Sequence, residues 1–96
     1  MTKINLTWYD TTHVICGTDI TNSGLRVKIR AQYSERVLTC KIIFINGSDI
    51  EKALSPGDYM IDVKGCSKII FDGNRNDINL EYKFIPIDNC VPLLCY

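Results

Sequence analysis

Apolar and polar side chains alternate along most of this chain, in runs too short and too strictly paired for helices. Leu25, Val27, Ile29, Ala31 and Tyr33 fall on one side of the clearest run, and Arg26, Lys28, Arg30 and Gln32 fall on the other. Period two of this kind marks a strand with one face inside and one face in water. Ile4, Leu6 and Trp8 alternate in the same way with Asn5, Thr7 and Tyr9. So do Tyr59, Ile61 and Val63 with Met60, Asp62 and Lys64, and Ile78, Leu80, Tyr82 and Phe84 with Asn79, Glu81 and Lys83. Shorter runs stand at residues 12–16 and 68–71. Residues 37–45 differ. Leu38, Cys40, Ile42 and Phe44 line one face, but Ile43 and Ile45 break the polarity of the other, so this strand is expected to be central or covered on both sides. Residues 49–54 suit either a short strand or one helical turn.

Turn chemistry separates these runs. Asn46-Gly47 is a tight-turn dipeptide, Ser55-Pro56-Gly57-Asp58 is a strong turn, and Asp72-Gly73-Asn74-Arg75-Asn76-Asp77 is a polar loop. No stretch carries the 3.6-residue period of a helix. Short strands with turns roughly every ten residues predict an all-β fold: a small antiparallel β-sandwich of about seven strands, with a small β-barrel as the alternative. Residues 1–96 are expected to form a single domain, with residues 85–96 an irregular apolar tail interrupted by Pro86 and Pro92.

Composition supports that reading and narrows the function classes. Of the 96 residues, 46% are hydrophobic, and β-branched and aromatic types dominate them. The formal net charge is zero, which disfavours nucleic acid as the main partner. The balance hides an asymmetry, because residues 1–48 carry six basic and three acidic groups while residues 49–96 carry five and eight. Met1-Thr2-Lys3-Ile4-Asn5 leads into strand pattern, not into an apolar leader, and no run approaches a membrane span, so a cytoplasmic location is expected. The five cysteines are an odd number with no Cys-x-x-Cys pair, which points to free thiols in a reducing compartment. Asn5-Leu6-Thr7 and Asn46-Gly47-Ser48 are glycosylation-type triplets that would be silent there.

One segment carries a resemblance. Leu54-Ser55-Pro56-Gly57-Asp58-Tyr59-Met60-Ile61-Asp62-Val63 resembles the corner that enters a late strand in immunoglobulin-like, fibronectin type III-like and transthyretin-like domains. The resemblance implies an immunoglobulin-like sandwich in which the Tyr59 hydroxyl bonds back to nearby backbone. Ile61 stands where the antibody type has a cysteine, so the inter-sheet disulfide of that type is not implied.

The candidate chemistry is thin. His13 is the sole histidine, and its nearest thiol, Cys16, falls on the opposite face of a strand, so no nucleophile–base pair is expected. The cysteines lack the close spacing of a structural zinc site; Cys90 and Cys95, the nearest pair, enclose only apolar residues. Residues 72–78 resemble the start of a calcium loop, but Asp77 stands where glycine is required and Lys83 where the bidentate glutamate belongs. No cofactor, metal or catalytic residue is therefore expected.

Two contact surfaces are expected instead. Arg26, Lys28, Arg30, Gln32 and Arg36, with Lys41, form a basic stripe suited to an acidic partner, to a phosphate backbone or to the chain's own acidic half. Val91, Leu93, Leu94 and Tyr96 form an uncharged end suited to intramolecular or intermolecular packing. The function expected from all this is non-enzymatic protein binding: a small phage- or bacterium-encoded inhibitor or adaptor that occupies an acidic partner surface. The alternatives are a self-associating, immunoglobulin-like structural module of a virion, tail or surface assembly, and a carbohydrate- or calcium-binding module.

Overall fold

The computed structural model describes residues 2–17, 20 and 23–85. The expected tail contacts Val91, Leu93, Leu94 and Tyr96, together with Cys90 and Cys95, lie outside the described residues. Eight strands follow one another: β1 Thr2–Leu6, β2 Thr12–Cys16, β3 Gly24–Ala31, β4 Leu38–Phe44, β5 Asp49–Leu54, β6 Gly57–Asp62, β7 Cys66–Asp72 and β8 Ile78–Ile85. Residues 49–54 thus take the strand option, and Ile85 belongs to β8 instead of opening an irregular tail. Among the described residues no helix is long and apolar enough to cross a membrane.

The strands form two four-stranded sheets, in the orders β1-β8-β3-β6 and β2-β7-β4-β5. Every pairing is antiparallel. No ladder joins one sheet to the other, so the molecule is a sandwich and not a closed barrel. The first strand pairs with the eighth, the second with the seventh, the third with the sixth and the fourth with the fifth. The chain therefore behaves as one long hairpin wrapped around itself, the arrangement of an eight-stranded jelly roll. The immunoglobulin resemblance stops at this point, because in that fold the first strand lies beside the second. The corner itself is real: Tyr59 Oη donates to the Ser55 carbonyl at 2.8 Å. It is a local device that turns the chain from β5 in one sheet into β6 in the other, and it places no constraint on the order of the remaining strands. The Tyr59 ring is half-buried.

Alternation set the core. Leu25, Val27, Ile29 and Leu80 project inward from one sheet, and Leu38, Ile42, Ile69 and Phe71 from the other; all are fully buried. Each such side chain contributes about 1.5–3 kcal/mol before entropy. β4 is an internal strand, between β7 and β5, as its double-sided apolar pattern predicts. Ile43 on its outer face is half-buried, whereas Ile45 lies beyond the strand end and is exposed.

Trp8 and Tyr33 depart from the alternation reading, which places both on inner faces. The β1 ladder ends at Leu6↔Ile78 and the β3 ladder at Ala31↔Ile78. Before Ile78 the chain is turning, so it offers no strand to pair with, and the residues beyond Leu6 and Ala31 leave the sheet. The β1–β2, β3–β4, β5–β6 and β7–β8 connections all emerge at this same end of the sandwich.

Candidate functional site

Three of those four connections are stitched together by hydrogen bonds. In the β1–β2 connection, Thr7 N–H donates to the Asp10 carbonyl at 3.1 Å and Asp10 N–H donates to Thr7 Oγ1 at 3.0 Å. This closed turn lifts Trp8 and Tyr9 into solvent, at 58% and 96% exposure. In the β3–β4 connection, Arg36 N–H donates to the Tyr33 carbonyl at 3.2 Å, and Tyr33 is 48% exposed. In the β7–β8 connection, Asn76 N–H donates to the Gly73 carbonyl at 3.0 Å.

The last of these turns is strained where it matters. Asn74 and Arg75 both have positive φ, 55° and 62°. Two such residues in succession make a type I′ turn. Asparagine tolerates that region; for arginine it costs about 1–2 kcal/mol. The surroundings hold the turn in place. Asp72 Oδ1 accepts the Asn74 N–H at 2.8 Å and the Thr11 hydroxyl at 3.1 Å, and the Arg75 N–H donates to Thr11 Oγ1 at 2.8 Å. Asn74 Nδ2 donates to the Val37 carbonyl at 2.8 Å, which ties in the β3–β4 connection. Gly73 N–H donates to the Thr11 carbonyl at 2.7 Å. A Cβ on Gly73 would stand 3.1 Å from Leu6 Cβ, so glycine is what lets the turn sit this close to β1.

The scaffold brings two arginines onto two aromatic rings. The Arg36 guanidinium lies 5.3 Å from the Tyr33 ring centre, and the Arg75 guanidinium lies 5.3 Å from the Trp8 ring centre. Between them is a cleft of about 200 Å³ lined by Trp8, Gln32, Tyr33, Arg36, Arg75, Asn76 and Asp77. Within the described residues the ion pairs are Lys3–Glu81, Arg30–Asp58 and Lys41–Asp49; neither Arg36 nor Arg75 takes part in one.

The expected basic stripe does not form one surface. Arg26, Lys28 and Arg30 do share the outer face of β3. Gln32 and Arg36 lie in the loop beyond it, and Lys41 sits on the outer face of β4, in the other sheet. The neighbouring strands also bring acids beside the stripe: Lys28 faces Asp58 on β6 and Glu81 on β8. Arg30 pairs with Asp58 at 3.3 Å and Lys41 with Asp49 at 3.9 Å, so the basic half of the chain is in part met by its own acidic half. Of the residues of the expected stripe, the cleft contains Gln32 and Arg36.

Sequence reasoning missed Trp8, Tyr33 and Arg75 as site residues. Two were absorbed into strand alternation. Arg75 was hidden inside the segment that resembles a calcium loop, although the turn signal there was visible. In the structure the Asp72 and Asn74 side chains serve the turn's own hydrogen bonds. Among the described residues no three His, Cys, Asp or Glu side chains converge as metal ligands. His13, on the edge strand β2, has its Nε2 3.4 Å from Tyr82 Oη and its ring tilted against that tyrosine. Cys16 lies on the opposite face of β2, as the alternation predicts. Cys16, Cys40 and Cys66 are free thiols, and burial pushes Cys40 up to about 12, which keeps it protonated and inert. No protein-family model, curated protein or solved structure matches the chain.

Proposed function

We propose that this protein is a binding domain, not an enzyme, and that it engages an acidic surface of a protein partner through the end of the sandwich that carries Trp8, Tyr33, Arg36 and Arg75. It acts by occupying that surface, as an inhibitor or adaptor does. The observation that carries the reading is the pairing of exposed aromatic rings with ion-pair-free guanidinium groups on loops held by a hydrogen-bonded scaffold. Tryptophan, tyrosine and arginine are the residues that dominate binding energy at protein interfaces. Loops on a rigid β scaffold are where binding residues concentrate. The cleft, at about 200 Å³, is smaller than the ~300–1,000 Å³ of small-molecule pockets. It suits a side chain presented by a larger partner better than a free sugar, and one face of each lining ring is already covered by an arginine.

Immobilised protein tests this by comparison of variants. A partner retained by the wild type should be lost with Trp8→Ala combined with Tyr33→Ala, and kept when Arg26, Lys28 and Arg30 are reversed to glutamate. The opposite pattern would move the contact to the sheet face. Mass that rises with concentration in the protein alone, and falls in the loop-end variant, would favour the self-associating structural module.

A further inference from the structure

We infer that the cleft between Arg36 and Arg75 is a carboxylate site, and that the group it takes from the partner is an aspartate or glutamate side chain. The inference rests on the binding reading above and sharpens it to a chemistry. A guanidinium that stacks on a ring spends its flat face on the ring and keeps its N–H donors in the plane, pointing sideways. Both cleft arginines lie over rings, with the guanidinium carbon 5.3 Å from the ring centre. Neither donates a side-chain hydrogen bond to any described residue, whereas Arg30, outside the cleft, donates to the Ile29 carbonyl and to Asp58. Two guanidinium forks in one cleft, with N–H donors that no described residue engages, suit bidentate recognition of a carboxylate.

The backbone supplies the second, independent observation. Arg75 occupies a left-handed turn position that glycine or asparagine would fill without strain, and hydrogen bonds around Thr11, Asp72 and Asn74 keep it there. Strain that the surroundings over-determine concentrates at binding sites. Here it aims the Arg75 side chain at Trp8 and the cleft. Asp77 narrows the choice of anion. It also lines the cleft, and beside the two guanidiniums it leaves a net single positive charge, which one carboxylate neutralises. Gln32 and Asn76 also line the cleft, and their amides can hydrogen-bond the rest of the guest.

The test is a titration of the isotope-labelled protein followed by NMR, at constant ionic strength, with four probes: the capped tripeptide Gly-Glu-Gly, its Gly-Gln-Gly counterpart, inorganic phosphate and glucuronate. The glutamate peptide should shift the Trp8 indole, the Tyr33 amide and the Arg36 and Arg75 side-chain signals, and the glutamine peptide should not. Arg36→Gln should weaken the glutamate response about tenfold, the loss of one charge-assisted contact. Arg75→Lys keeps the charge and loses the fork, and should weaken it similarly, with strand amides unmoved as the check on folding. Equal shifts from the glutamine peptide, a stronger response to phosphate or glucuronate, or shifts confined to the outer face of β3 would each overturn the assignment. A partner lost with Trp8→Ala but kept with Arg36→Gln and Arg75→Lys together would leave the loop end as the binding surface and remove the carboxylate from it.

Discussion

Arginines occupy two regions of this molecule and meet opposite fates. On the outer face of β3, Arg26, Lys28 and Arg30 lie in a regular ladder, where β6 and β8 bring Asp58, Asp62 and Glu81 alongside. Arg30 finds Asp58, and the pair is exposed on both sides, so water screens it. At the loop end, Arg36 and Arg75 have left the ladder. Their guanidiniums lie over rings, and although Asp77 shares the cleft, no described acid forms an ion pair with either. A sheet distributes charge by register, so a basic strand is offset by whatever strands flank it. A loop escapes register and can keep a charge uncompensated, which is where a binding charge belongs.

The comparison breaks most clearly at Trp8. Trp8→Ala should weaken partner binding by about 2–4 kcal/mol, as loss of a central aromatic anchor does. Reversing Arg26, Lys28 and Arg30 should instead slow association and leave the dissociation rate nearly unchanged. Calorimetry and association kinetics on the two variants decide it; equal losses would erase the distinction between the regions. Next in size is Asn74→Ala. It removes the bond to the Val37 carbonyl and places a Cβ without asparagine's tolerance at φ 55°, so it should destabilise the fold by about 1–2 kcal/mol in urea titration. An unchanged midpoint would mean that the three connections are not energetically tied.

Arg75→Gly separates stability from function. Relief of the left-handed strain, about 1–2 kcal/mol, is set against a lost cation–π contact of about 0.5–1 and a glycine entropy cost of about 0.5–1. The melting temperature should barely move while partner binding falls at least tenfold; a large drop in melting temperature would show that the arginine is there for the fold. Tyr59→Phe is smaller still. The hydroxyl bond to Ser55 is solvent-exposed, so its loss should cost only about 0.5 kcal/mol. Smallest of all, neutralising Arg26 and Lys28 to glutamine should change stability by less than about 0.5 kcal/mol.

The sequence by itself determined the layers of this protein. Period-two alternation in residues 25–31, 38–44, 59–63 and 78–84 decided which side chains are buried, because a strand has only two faces and water accepts one set. Turn dipeptides decided where the runs stop, and the Leu-x-Pro-Gly-x-Tyr corner formed because all of its contacts lie within a few residues. Strand order was not legible. The immunoglobulin-like sandwich and the jelly roll ask for the same alternation, and the choice between them depends on which distant strands pair. The site was not legible for the same reason. Trp8 and Tyr33 continue the alternation of β1 and β3, and only the absence of a partner strand before Ile78 releases them into solvent. Residue 8, residues 33 and 36, and residue 75 lie in three connections far apart along the chain. The strand order puts their loops at one end, long-range hydrogen bonds at Thr11 and Asn74 tie them together, and that convergence is a property of the tertiary fold alone.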